Sequence, residues 1–188
     1  INSLVIDDYF ACIEIYPAYV PPYVLAAEVF YAFEQYDDVE QVIGTAKELT
    51  LESDSLDLYE IRCIHYKSFS RENTEKALAL IEVLRDKVYN QSDRETDIED
   101  LADLEKEYAI LYWDLDNTAM TLVIIEEFLT KHPNNTSLLH LKVDVLNREN
   151  RIQEALEICK TLVQLEPNNL YAKARVGNSY ERLDEVKK

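Results

Sequence analysis

The 188-residue chain has only two glycines, Gly44 and Gly177, and five prolines. A multi-stranded antiparallel sheet needs turn-formers at each reversal, so this scarcity argues against one. Two glycines so far apart also cannot build a glycine-rich phosphate loop. Cys12, Cys63 and Cys159 are odd in number, widely spaced and without a CxxC pair. They offer neither a disulfide framework nor a structural zinc site, and point to a reducing, cytoplasmic setting. The sequence has no apolar run of the ~18 residues that a spanning helix needs, and no signal-peptide pattern at its start. It opens at Ile1 without a Met and reads as a piece of a longer protein.

Positive charge is also scarce. Lys and Arg number 19 against 37 Asp and Glu, a formal net charge of −18. Nucleic-acid binding needs a basic stripe that displaces counterions, so nucleic acid is not an expected partner. An anionic membrane surface is disfavoured for the same reason. A basic or neutral protein segment is the easier partner electrostatically. The plainer reading is that the charge keeps the surface soluble.

What is present in quantity is apolar and helix-forming. Hydrophobic residues make up 47% of the chain, which excludes a disordered polymer. Two phrases stand out, Lys131-His132-Pro133-Asn134-Asn135 and Leu165-Glu166-Pro167-Asn168-Asn169, with their prolines 34 residues apart. Between them the apolar spacing predicts one amphipathic helix over Ser137–Glu149 and a second over Ile152–Leu165, with Asn150 in the turn.

A 34-residue unit of two antiparallel helices closing on Pro-Asn-Asn resembles the tetratricopeptide repeat family. With Thr136 as position 1, Leu139, Val143, Leu146, Ala155, Cys159, Leu162 and Pro167 fall at 4, 8, 11, 20, 24, 27 and 32, in keeping with that family's large, small, aromatic and proline positions. The preceding copy places Ala109 at 8, Tyr112 at 11, Ile125 at 24 and Pro133 at 32. There Thr121 and Phe128 replace small residues, so looser packing is expected. A copy from Val20 carries Tyr23, Ala27, Phe30, Val39, Ile43 and Ala46. Another carries Tyr59, Cys63, Tyr66, Ala77, Ile81 and Leu84, with about two extra residues near Ser70–Asn73.

The resemblance implies an all-α, right-handed superhelical solenoid of antiparallel helix hairpins. The expected layout is a single domain over 1–188: a half repeat at 4–17, full repeats at 20–53, 54–89, 102–135 and 136–169, and a half repeat at 170–188. An acidic insertion at 90–100, a longer loop or a helix extension, interrupts the count. Ala27, Cys63, Ala109, Val143 and Gly177 recur where facing helices approach most closely. Tyr23, Tyr59, Tyr66, Tyr112 and Tyr180 take packing positions, with buried rings and partnered hydroxyls.

The resemblance further implies that first helices line a concave groove, in which a peptide or protein segment binds. The residues placed there are Val24, Glu28 and Tyr31, then Glu60, Ile64 and Lys67, then Asp103, Lys106, Ile110, Trp113 and Asp114, then His140, Asp144, Asn147 and Arg148, and finally Ala174, Asn178 and Arg182. Trp113, the only tryptophan, is either an exposed binding anchor or a packing residue, and Tyr31 shares that ambiguity. One subset of the family clamps acidic chaperone tails with Lys and Asn in one repeat and Lys and Arg two repeats later. Here Val24 and Glu28, then Lys106 and Ile110, do not complete that clamp, and Tyr171 with Arg175 keeps half of its second element.

Chemistry has little support in the residues. His65, His132 and His140 lack the HxxxH or HExxH spacing of a helical metal site, so no metal and no cofactor is expected. Cys63 and Cys159 hold small or apolar positions and read as inert thiols. Acidic neighbours such as Asp7-Asp8, Asp37-Asp38 and Glu126-Glu127 diverge by about 100° on a helix and form solvated faces. No catalytic residue is expected. The functional expectation is therefore a cytoplasmic protein-binding scaffold for a basic or aromatic segment. The alternatives are a spacer or homodimerisation arm acting through exposed end helices such as Leu170–Leu183, or a co-chaperone-like module that recruits substrate to a larger protein, such as one carrying a J-domain.

Overall fold

The computed structural model describes residues 3–90, 96 and 101–186, and every regular element among them is an α-helix. In order these are α1 (Ser3–Ile15), α2 (Pro21–Ala32), α3 (Tyr36–Glu48), α4 (Asp54–Lys67), α5 (Arg71–Asn90), α6 (Leu101–Asp114), α7 (Thr118–Lys131), α8 (Thr136–Arg148), α9 (Ile152–Leu165) and α10 (Leu170–Val186). The chain divides into two compact units, Ile1–Leu104 and Glu105–Lys188, with the division inside α6. Apart from α5's last residue, Asn90, and Thr96, the acidic insertion expected at 90–100 lies outside the described residues.

In the first unit α1 packs on α2, α2 on α3 and α4, and α4 on both α3 and α5. Its core holds Tyr23, Ala26, Ala27, Phe30, Val39, Val42, Ile43, Ala46, Leu56 and Cys63. In the second, α7 packs on α8, α8 on α9 and α9 on α10, around Leu139, Val143, Leu146, Ala155, Cys159, Leu162 and Ala172. The period-3.6 apolar faces read from the sequence are thus the faces that meet. Each fully buried leucine removes enough apolar area to favour the stack by about 1.5–3 kcal/mol. Ala27, Cys63, Ala109 and Val143 are buried at the points of close approach. Gly177 is not: a Cβ there meets nothing within 4 Å, because among the described residues no helix follows α10 to close on it.

The turns inside the hairpins show how sequence sets geometry. Glu34, Asp116 and Asn150 each adopt a left-handed backbone, with φ of 58°, 59° and 59°. All three fall at the same place, just after a first helix. The next amide reaches back to close the helix: Gln35 to the Phe30 carbonyl, Asn117 to Tyr112 and Arg151 to Leu146, each at 2.9 Å. The α4–α5 turn is built differently. Ser70 Oγ accepts from the Asn73 amide at 3.2 Å, and Asn73 Nδ2 donates to the Ser68 carbonyl at 3.1 Å. The two extra residues expected there lengthen the first turn of α5 and do not form a bulged loop.

The proline turns repeat as closely. After α7 and α9, His132 and Glu166 donate back to Phe128 and Leu162 at 3.0 and 2.8 Å, and proline then stops the helix. The second asparagine of each phrase caps the next helix: Asn135 Oδ1 accepts from Leu138 at 3.0 Å, and Asn169 Oδ1 from Tyr171 at 2.9 Å.

One packing expectation needs correction, that for Tyr180. Tyr23 is only 1% exposed and donates to the Pro17 carbonyl at 3.0 Å, as expected, and Tyr59, Tyr66 and Tyr112 are half-buried. Tyr180 is 50% exposed, since α10 has no following hairpin among the described residues. Thr121 is fully buried, its hydroxyl finding a partner by donating to the Asn117 carbonyl at 3.0 Å. Phe128 is partly exposed and stacks on His132, with ring centres 4.6 Å apart.

Candidate interaction surface

The first helices of the first unit, α2 and α4, together with the start of α3, carry an aromatic platform. Tyr31 lies 5.9, 5.7 and 6.2 Å, centre to centre, from Tyr36, Tyr59 and Tyr66. The Arg62 guanidinium sits over Tyr31 at 5.6 Å and over Tyr59 at 5.4 Å, and pairs with Asp103 at 3.5 Å. Burial pushes the Tyr59 phenol up to about 12, helped by the nearby Glu28 carboxylate and opposed by Arg62. Tyr31 is therefore a half-buried part of the platform.

Around the platform Val24 and Ile64 are half-buried, while Glu28 is exposed. Glu60 pairs with Lys47 at 2.5 Å, and Lys67 with Asp37 and Glu40 at 2.6 and 2.7 Å. Glu28 makes no ion pair among the described residues. Arg62, which organises the rings, is absent from the groove positions inferred from the sequence. Its spacing of three residues from Tyr59 is the signal that could have located it.

In the second unit several of the expected groove residues are engaged by neighbouring side chains. His140 Nε2 lies 3.0 Å from Glu166 Oε2, and Asn169 Nδ2 donates to the same oxygen at 2.8 Å. Hydrogen bonding from His140, with further help from Thr136 and Asn169, holds the Glu166 carboxyl below the usual range. Asp144 forms a two-pronged ion pair with Arg175, whose guanidinium also donates to the Tyr171 hydroxyl at 3.0 Å. Arg182 holds Asn147 by its side-chain oxygen at 3.0 Å and by its carbonyl at 3.1 Å. Arg175, half of the chaperone-type clamp element, is 7% exposed and engaged by Asp144, which leaves little of it for an acidic tail. Asn178 is exposed and Ile110 half-buried.

Trp113 is half-buried under the Arg148 guanidinium, 5.6 Å from the ring centre, and Arg148 pairs in turn with Asp116 at 2.8 Å. Its Nε1 is shielded from solvent without a hydrogen-bond acceptor.

The thiols suit structure better than chemistry. Burial pushes Cys63 up to about 12 and also raises Cys159, so neither supplies a thiolate near neutral pH. Among the described residues no group of His, Cys, Asp and Glu could hold a metal ion, and no helix is long and apolar enough to cross a membrane.

No protein-family model matches the chain, and no curated protein matches it. Solved structures do. The chain is similar to TTC0263, a thermophilic TPR protein of Thermus thermophilus, with 12% identity and a TM-score of 0.75 over 93% of this chain and 88% of that one. It is also similar to YrrB, described as a TPR protein with an unusual peptide-binding site, with 16% identity and a TM-score of 0.56 over 94% and 84%. A third is MamA of AMB-1, with 14% identity and a TM-score of 0.53 over 86% and 87%.

Proposed function

From this tetratricopeptide-type fold we propose that the chain is a non-catalytic interaction scaffold, binding a peptide segment with Lys or Arg and an aromatic residue on the first-helix face of its first unit. The observation that carries the reading is Glu28, an exposed carboxylate without an ion-pair partner beside the Tyr31–Tyr59 platform. A cation reaching Glu28 would lie near the electron-rich Tyr59 ring as well as the carboxylate, a combination that recognises Lys or Arg better than either element alone. The second unit offers less, because His140, Asp144, Asn147 and Arg148 among its polar groove residues already have partners. That a structurally similar protein is described as having a peptide-binding site agrees with the reading.

Selection of random peptides displayed on phage tests it. A consensus with Lys or Arg, at least tenfold weaker against Glu28→Lys and Tyr31→Ala proteins of unchanged circular dichroism, is the expected result. Enrichment indifferent to both substitutions would refute it. A dimerisation arm is favoured by one observation: α10 exposes Leu170 at 77% together with Tyr171 and Tyr180. A mass that stays monomeric at high concentration in light scattering removes that alternative.

A further inference from the structure

The most one-sided charge distribution in the chain lies at its beginning. The first 46 residues contain eight carboxylates and no Lys, Arg or His. Asp37 and Glu40 share Lys67. Asp7, Asp8, Glu14, Glu28, Glu34 and Asp38 have no ion-pair partner among the described residues. Lys47, the first cation in the sequence, is held by Glu60 at 2.5 Å.

Within this acidic stretch, on the face carried by the second helices α1 and α3, is a small cleft of mixed lining, with two aromatic rings and a valine set against polar side chains. Phe30 and Val42 line it deeply, Phe10 rises on the α1 side, and Asp38, Gln41 and Thr45 form the α3 side. The Phe10 and Phe30 rings lie 6.2 Å apart, and Phe10 is 41% exposed. The cleft volume is about 60 Å³. That is well below the ~150 Å³ that accepts a benzene ring, so an aliphatic side chain suits it and an aromatic one does not. Asp7 and Glu14 lie three residues before and four after Phe10, on the same face of α1, and both are exposed. With Asp38 opposite, carboxylates flank the cleft on both sides.

From this arrangement we infer that the α1–α3 cleft docks a Lys/Arg-rich protein segment, inserting one aliphatic side chain against Phe10 and Phe30 while its cations meet Asp7, Glu14 and Asp38. An anionic segment would be repelled by every rim charge. A neutral apolar one would leave those carboxylates beside an unmatched, partly dehydrated surface. This surface is separate from the Glu28–Tyr31 face and does not depend on it.

The test uses two fluorescein-labelled peptides, an amphipathic leucine–lysine helix and the same peptide with serine for leucine, titrated by anisotropy at about 0.15 M salt. The expected result is that the intact chain prefers the leucine peptide by about tenfold, the scale of burying one aliphatic side chain. Phe10→Ser removes one wall, and Thr45→Leu fills the cleft at the cost of one exposed hydrogen bond from the threonine hydroxyl to the Gln41 carbonyl. Either should abolish the preference, while Glu28→Lys leaves it in place. The inference is overturned if the intact chain treats the two peptides alike, or if the preference survives both cleft substitutions. It is equally overturned if Glu28→Lys abolishes the preference and the cleft substitutions do not, a result that assigns binding to the first-helix face instead.

Discussion

The two units are made of the same hairpin, yet they handle charge and turn geometry differently. In the second, three polar residues on the first-helix face are matched: Asp144 with Arg175, His140 with Glu166, Asn147 with Arg182. In the first, Lys47 and Lys67 neutralise Glu60, Asp37 and Glu40, but Asp7, Glu14, Glu28 and Asp38 keep unmatched charge beside aromatic rings. A surface matched internally gains little from a charged partner, since the partner must displace existing pairs. An unmatched surface gains from any cation it meets. The contrast teaches that repeats of one fold need not handle charge alike, and it is why the proposed recognition is assigned to the unit whose charges are less compensated.

The strongest way to break this contrast is to remove one charge from each unit. Asp144→Ala leaves the Arg175 guanidinium, 7% exposed, without its carboxylate. A fully buried orphan charge costs about 3–5 kcal/mol. Asp144 itself is 44% exposed on its side chain, so solvent screening reduces the expected loss to about 2 kcal/mol. Glu28→Ala, which removes an exposed, unmatched carboxylate, should change stability by less than about 0.5 kcal/mol. Urea denaturation of both variants measures the difference, and equal losses would show that the units do not differ in this respect.

Much of the fold was legible in the sequence because its repeat follows from local rules. Pro17, Pro133 and Pro167 stop helices, Asn135 and Asn169 cap the next ones, and Ala27, Cys63, Ala109 and Val143 mark close approaches. These effects act within a few residues, so periodicity reveals them. The candidate site was less legible. Register placed Trp113 and Asp144 on the inner face, but whether they are free depends on Arg148 and Arg175, which come from later helices. Arg62 is the same kind of case: its value comes from two rings and from Asp103, a residue distant in sequence. The Phe10 cleft escaped sequence reading altogether, because its walls belong to helices of successive hairpins.

Titration sharpens the comparison from another direction. In the second unit Glu166 has its folded pKa lowered by His140 and its other donors. Its contribution is therefore present above the ordinary glutamate value, near pH 4.5, and is lost as pH falls through the depressed folded value. In the first unit, burial lowers Lys87, but hydrogen bonds to Asp54 and Asp57 outweigh it and raise the pKa overall. That contribution is complete below the ordinary lysine value and fades as pH rises through the raised one. Thermal midpoints of Glu166→Gln and Lys87→Met proteins across pH should separate the two. The first should flatten the decline at acid pH, and the second the decline at alkaline pH. A Glu166→Gln protein whose acid decline matches the parent's would remove Glu166 from the account.

The smallest expected effect concerns the left-handed turns. The second unit places Asp116 and Asn150 there, residue types that tolerate positive φ through local side-chain hydrogen bonding. The first unit places Glu34 and Thr50 there, with φ of 58° and 55°, and a β-branched threonine is the least suited of the four. An ordinary side chain in this conformation costs roughly 1–2 kcal/mol, part of which glycine gives back through the greater freedom of the unfolded chain. Thr50→Gly should therefore raise stability by about 0.5–1 kcal/mol and Glu34→Gly by somewhat less, whereas Asn150→Gly should change it by only a few tenths. The closing bonds themselves, Leu51 to the Ala46 carbonyl at 3.0 Å and Arg151 to Leu146 at 2.9 Å, are alike in the two units. Any difference between the glycine variants thus reports the strain of the residue and not the quality of the turn. If Asn150→Gly gains as much as Thr50→Gly, the first unit carries no more backbone strain than the second, and its distinction rests on charge alone.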